Sequence, residues 1–358
     1  MYEEHFGLNG KPFSLLPDAN FLYFSKRHRR VVNLLEYGAL THAGFIVITG
    51  EVGAGKTTII RHFLKNLDDN VSVGVITNPS ESLGKLFGWI ATAFELETHD
   101  HDDVKIYNAF VEFLLQQYAA GKRTVLIIDE AQNMSMQMLE DLRMLSNVNN
   151  ERDQLLQTIL VGQPELLTTL KRPDLRQFVQ RLSVHCHQTP LSAKETAAYI
   201  RHRLSVVGAQ RELFDDLACA AVYYFTYGVP RLINLLCDHA LMYAFAEDEP
   251  VVSYHTVVEV ALDRNSSGLS SFRPVDEEQS EEALLAELQA VVEEAKADKV
   301  APPPAPAPEA SAPVAPAKSP KIAAAARASM PAVVAPVSPP ANVGGGDPDA
   351  SERRADHA

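Results

Sequence analysis

The chain has 358 residues with 46 acidic and 32 basic side chains, a formal net charge of −14, and three cysteines, none in C-x-x-C spacing. A disulfide framework and a thiolate zinc site are thereby excluded, and residues 1–265, at −8 by themselves, are not held on nucleic acid by bulk charge. The acidic opening MYEEHFGLNG has no secretory leader character and no run of 18 apolar residues occurs, so a soluble, cytoplasmic chain without a membrane span is expected.

In chain order, Ser25-Lys26-Arg27-His28-Arg29-Arg30 opens a helix predicted to run through Leu40. Cations at a helix N-terminus oppose the macrodipole, so a nucleotide, an acidic neighbour or nucleic acid should compensate; a solvated or intramolecular role is favoured. Apolar runs of strand length follow at 44–50, 71–77, 124–129 and 156–162, with a weaker one at 182–187. Helical periodicity fills 56–67, 80–95, 104–120 and 135–147. Runs without polar alternation are strands buried on both faces, and helices between them make parallel right-handed crossovers. After residue 190 the strands stop. Ser192 and Glu195 form a capping box opening a helix to about Val207, and helices are predicted at 212–226, 230–246 and 254–263. Leu284, Leu288, Val291 and Ala295 mark an acidic amphipathic helix, solvated or folded back on the body. Thirteen of the 22 prolines lie between Pro302 and Pro348, interleaved with alanine, as in a disordered tail. The expected division is an α/β domain over 1–190 with its N-terminal segment, a small all-helical domain over 191–265, a linker and helix over 266–300, and the tail over 301–358.

The sharpest motif is Gly50-Glu51-Val52-Gly53-Ala54-Gly55-Lys56-Thr57-Thr58, a G-x-x-x-x-G-K-T loop between an apolar strand and a helix. Glycines let successive N–H groups turn toward phosphate oxygens, and the helix start adds its positive dipole end. Lys56 would reach the β- and γ-phosphates, the Thr57 hydroxyl would bind Mg²⁺, and Thr58 would touch the α-phosphate. No N-K-x-D guanine reader is present, which favours ATP.

TVLIIDEAQNM delivers Asp129 to the end of a buried strand, where a metal-holding carboxylate faces a phosphate loop, and Glu130 follows as the acid that orients attacking water. LVGQPEL ends another strand at Gln163, a γ-phosphate-sensing position or a plain turn residue, and Pro164 starts a helix. In GVPRLINLLCDHAL, Pro230 starts a helix with Arg231 in its first turn; either the γ-phosphate or a nearby acid should answer that charge. Arg172, Arg176 and Arg181 precede the last strand. One of them, Arg181 first and Arg176 second, is expected to enter a neighbouring subunit's site and neutralise transition-state charge. Weaker clusters are Thr98-His99-Asp100-His101-Asp102-Asp103, which is not expected to converge on a metal, and His185 and His187, expected as core or interface histidines. Trp89 and Phe94 read as core.

With these residues in hand, the chain resembles AAA+ ATPases of the general secretion pathway protein A type, and in layout its shorter MSHA-like pilus-biogenesis members. The likeness rests on FGLNGKPFSLLPDANFLYFSKRHRRVVNLLEYGA, GEVGAGKTT, LIIDEAQNM, LVGQPEL, the QRL around Arg181 and GVPRLINLLCDHAL, in that order, covering about residues 1–265. It implies a P-loop NTPase with sheet order 5-1-4-3-2, a helical lid, ATP and Mg²⁺ at a subunit interface, and homo-oligomerisation. It also implies Asp129 and Glu130 as the Walker B pair, Gln163 as sensor 1, Arg231 as sensor 2, and Tyr23 and Phe24 near the adenine. Secretion-type members continue into a membrane helix and a peptidoglycan-binding module; here an acidic helix and a Pro/Ala tail follow, so an envelope partner would have to supply attachment. The core is shared with DNA-loading transposition ATPases and with ATPases of exopolysaccharide export loci, which are the alternative functions.

Overall fold

Five parallel strands, β1 (Phe45–Gly50), β2 (Val71–Thr77), β3 (Arg123–Asp129), β4 (Leu156–Gly162) and β5 (Leu182–Gln188), form one sheet in the order β2-β3-β4-β1-β5. This is the order that the resemblance implied, in a computed structural model that describes residues 1–16, 19–40, 44–97, 102–149, 154–268, 270–274 and 280–297. The three central strands β3, β4 and β1 are buried almost throughout, as their unbroken apolar runs require, and the outer two are half-exposed. One face packs Ile46, Ile48, Ile127 and Ile159 against the helices Lys26–Leu40 and Lys56–Lys65. The other packs Phe45, Val47, Leu126 and Leu160 against Leu86–Ala93, Asp103–Ala119, Met136–Leu145 and Glu165–Leu170. Strands β1, β3 and β4 end on Gly50, Asp129 and Gly162, so the loop and the acidic pair share the carboxyl edge of the sheet, where open α/β sheets bind ligands.

The helix predicted over 80–95 is shorter, Leu86–Ala93. Residues 80–84 close turns instead: Leu83 N donates to Ser80 O and Gly84 N to Glu81 O, while the Ser80 and Ser82 hydroxyls bond each other. Such local bonding competes with helix propagation. Trp89 and Phe94 do pack on the core of this face, Phe94 against Phe110 and Phe113.

Beyond Pro190 come the helices Ala193–Val206, Asp216–Thr226, Pro230–Ala246 and Tyr254–Ser266. The Ser192/Glu195 capping box is formed in both directions. Their shared core also takes in Tyr2, Phe6, Leu8 and Phe13. The N-terminal segment, placed with the α/β domain in the sequence reading, therefore packs among the helices. Tyr2 and Phe6 lie one turn apart on the helix Tyr2–Phe6, Gly7 at φ 66 turns the chain, and Asn9 N donates to Val207 O at 2.8 Å. The acidic helix Glu281–Ala297 lies back on the same core through Leu284 and Leu288, the folded-back alternative. At the joint between sheet and helices, Leu191 N donates to Gly228 O at 2.9 Å. Gly228 has φ 74, and a Cβ there would collide with the Leu191 carbonyl, so no other residue fits.

The metal reading of His99, Asp100 and His101 and the tail over 301–358 lie outside the described residues. Among the described residues no group of three histidines, cysteines or carboxylates is close enough to hold a metal, and no helix is long and apolar enough to cross a membrane.

Candidate active site

The loop after β1 is shaped by Gly53 at φ 79 and Gly55 at φ 92, left-handed conformations that a side chain would strain. Gly53 has a second constraint, since a Cβ there would stand 2.6 Å from Arg231 Cβ. Lys56, the first residue of its helix, is buried, and its ammonium donates to Gly50 O at 2.7 Å and Glu51 O at 2.9 Å. Burial pulls its pKa down, while the charges of Glu130 and Asp129 act in the opposite direction. Next to it the Thr57 hydroxyl donates to Asp129 Oδ2 at 3.0 Å, across the gap between the loop and the end of β3.

Asp129 Oδ1 accepts from Glu130 N at 3.0 Å, and Glu130 itself is left-handed, φ 54. A non-glycine residue in that region stores roughly 1–2 kcal/mol and persists only where surroundings over-determine it. The surroundings here are two carboxamides. Gln132 Nε2 donates to Glu130 Oε2 at 2.6 Å, Gln163 Nε2 reaches the same oxygen at 3.4 Å, and Gln163 N donates to Gln132 Oε1 at 3.0 Å. Gln163 thus stands beside Glu130.

Lys56, Thr57, Thr58, Glu130, Gln163 and Arg231 all line one cavity of about 240 Å³, together with Val52, Gly53, Gly55, Tyr23 and the backbone turn around Ser14–Leu16. Arg231 donates its backbone N–H to Gly53 O at 3.3 Å, and its exposed guanidinium has no ion pair among the described residues. Tyr23 packs edge-on to Tyr199 at 6.1 Å, and burial raises its hydroxyl pKa. Phe24 is off the cavity wall; its ring lies edge-on to His62 at 4.8 Å, among the side chains under the sheet.

Of the three arginines before β5, Arg172 pairs with Asp174 at 3.1 Å and Arg176 is exposed. Arg181 donates to Arg143 O, Ser146 Oγ and Asn147 Oδ1 at the end of the helix Met136–Leu145, away from the cavity of its own chain. The basic segment 26–30 is largely used internally. Arg27 donates to the Thr189 hydroxyl and to Pro190 O at the joint, and Arg29 to Phe24 O. His185 and His187 share a face, as alternation requires, but on the exposed side of edge strand β5, both against Thr49 Oγ1.

Several cavity residues escaped the sequence reading. Arg203, 5% exposed, donates to Pro12 O at 2.6 Å, Tyr199 Oη at 2.7 Å and Ser14 O at 3.3 Å, with its guanidinium over the Phe21 ring. A signal was available, because Thr196, Tyr199, Ile200, Arg203 and Leu204 make up the buried face of one helix, and a charge at a core position demands partners. His28 is buried behind the loop, bonded to the Ser25 hydroxyl at 2.8 Å and to the Gln188 amide at 3.0 Å. Burial lowers its pKa, with Glu195 opposing. The three cysteines are buried, and burial pushes the Cys219 thiol up to about 12, which removes them from the chemistry.

The donor set fits a magnesium-bound nucleotide. Thr57 and Asp129 supply adjacent hard oxygen donors, and the loop supplies backbone N–H groups and a lysine. Residues 39–170 match the AAA domain family. The fold is that of an AAA P-loop NTPase. Over 247 residues the chain is 41% identical to general secretion pathway protein A of Aeromonas hydrophila, a match taking in 69% of this chain and 45% of that protein. The resemblance to general secretion pathway protein A read from the motifs is therefore borne out, although the chain spans less than half the length of this curated relative. Among solved structures, Cdc6p from Pyrobaculum aerophilum superposes with a TM-score of 0.54 at 15% identity, covering 69% of this chain and 71% of that one. The ORC2 protein of Aeropyrum pernix gives 0.52 at 15% identity, covering 70% and 68%. At such identities the likeness speaks for the fold alone.

Proposed function

We propose that the chain is a Mg²⁺-dependent ATPase that assembles with copies of itself, nucleotide at the subunit interface, in service of an MSHA-like type IV pilus or a type II-like secretion machine. One observation carries the chemistry: Thr57, bonded to Asp129, and a pinned Glu130 line one cavity with Lys56 and with Arg231, whose guanidinium has no ion pair among the described residues. In this reading residues 1–190 supply the nucleotide-binding body and 191–265 the lid, with the N-terminal helix and the helix Glu281–Ala297 docked on the lid. Thr57 and Asp129 would hold Mg²⁺, which offsets phosphate charge and polarises the terminal phosphoryl group. Lys56 leaves the loop carbonyls for the phosphates, and Glu130 aligns a water and takes its proton. Gln163 and Arg231 face the terminal phosphate, and Tyr23 is on the wall left for adenine. Arg181 can act in a neighbour only by releasing its three bonds at the helix end; Arg176 is already exposed. The chain is placed in the cytoplasm, reaching the inner membrane through a protein partner.

The test pairs two variants. Lys56→Ala is expected to lose ATP binding in calorimetry. Glu130→Gln should bind ATP as tightly as wild type, accumulate the ATP-bound assembly, and release phosphate about 100-fold more slowly. Equal turnover by wild type and Glu130→Gln would remove the water role. The competing DNA-loading reading rested on the basic segment, and the internal use of Arg27 and Arg29 weakens it. ATP-dependent DNA binding with a steep salt slope would restore it.

A further inference from the structure

Gln132, two residues after Glu130 in LIIDEAQNM, carries no role in the motif, yet its carboxamide joins the ends of β3 and β4. At one end Nε2 donates to the carboxylate oxygen Glu130 Oε2 at 2.6 Å. At the other end Oε1 accepts from Gln163 N at 3.0 Å, the first backbone donor beyond β4. The neighbours in its one-turn helix, Ala131–Asn133, are directed elsewhere: Ala131 is in the apolar core and Asn133 donates to Asn78 Oδ1 at 2.7 Å. Gly162 leaves room for the carboxamide, since a Cβ there would stand 3.0 Å from Gln132 Oε1. Glu130 Oε1, meanwhile, has no hydrogen-bond partner among the described residues, so the bonding of Oε2 leaves one oxygen of the carboxylate open to the cavity.

We infer that Gln132 is a positioning residue for hydrolysis, a strut between β3 and β4 that pins one oxygen of Glu130 and so presents the other to the attacking water. The inference rests on the role proposed above for Glu130. Glu130 leaves the strand in a left-handed turn, and without the strut only the longer, 3.4 Å contact from Gln163 would hold its carboxylate. A reacting group displaced by an ångström loses rate far more than affinity. Because the strut touches Glu130 and the backbone of Gln163 and nothing that binds phosphate in the loop, its loss should leave ATP affinity in place.

Two variants separate its ends. Gln132→Met removes both bonds. Gln132→Glu keeps an acceptor for Gln163 N but sets a like charge where the donor was. Both are expected to lower kcat by about 10- to 100-fold, with the ATP dissociation constant within about threefold of wild type. The decisive measurement is a double-mutant cycle in single-turnover phosphate release. In the Glu130→Gln background, Gln132→Met should have almost no further effect, because it acts through Glu130. Wild-type turnover by both variants, or full additivity with Glu130→Gln, overturns the inference while leaving the role of Glu130 standing. A wild-type protein that binds ATP and never cleaves it overturns both together. Gln132→Glu nearly conserves volume and preserves the bond to Gln163, so it tests the strut even if Gln132→Met folds poorly.

Discussion

The two sides of the cavity are built on different principles. On the strand side, the polar groups gathered at the carboxyl ends of β1, β3 and β4 hold one another. Thr57 holds Asp129, the Glu130 backbone holds the other Asp129 oxygen, and Gln132 and Gln163 hold Glu130. On the helical side the wall is Tyr23, Tyr199, Phe21 and the turn at Ser14–Leu16, organised by a single buried cation, Arg203. The strand side inherits its geometry from a parallel ladder with little freedom. The helical side depends on a core that draws on Tyr2–Phe13 and on Leu284 and Leu288, far apart in sequence. The acidic pair and the phosphate-type loop are thus placed by strand ends, and the opposite cavity wall by the helices beyond Pro190.

The hardest strain on this comparison comes from Arg203→Met. It should lower the unfolding free energy by about 3 kcal/mol, because buried carbonyls of the N-terminal turn lose a charged donor. Calorimetry should show weakened ATP binding and unchanged binding of inorganic tripolyphosphate. Equal weakening of both ligands would mean that the two sides are one unit. A gentler probe is Ser192→Ala, which opens the capping box at the joint. It should cost about 1 kcal/mol and lower the melting midpoint by about 2–4 °C, with turnover per folded molecule unchanged.

The smallest effect at neutral pH comes from His28, which is packed where the two sides meet. Burial holds its folded-state pKa below the usual 6.5. Below that pH the unfolded chain binds a proton that the folded chain refuses, so stability is full above it and is lost as pH falls. Urea titrations at about pH 7.5 and about pH 5.5 should show a smaller acid loss for His28→Gln than for wild type. Identical losses would mean that His28 is protonated in the fold.

The phosphate loop, Asp129, Glu130, the strand ends and the capping box could be read without coordinates, because each depends on neighbours within a few residues: an apolar run, a glycine, a first-turn proline. Gln132 was next to the acidic pair and still went unread, because its meaning lies in Gln163, a strand away. Phe24 and Tyr23 are adjacent, yet only Tyr23 faces the cavity, a choice made by packing against Tyr199 and His62.

Sequence by itself determined the α/β body, its strand boundaries and which polar residues gather at the carboxyl edge, since backbone hydrogen bonding and apolar periodicity are local and repeat along the chain. Only the tertiary structure decided that the first thirteen residues belong to the helices, that Arg203 and His28 are buried around the site, and that Arg181 is tied down in its own chain. Those outcomes depend on which surfaces meet when distant segments exclude water together, and no stretch of sequence contains both partners.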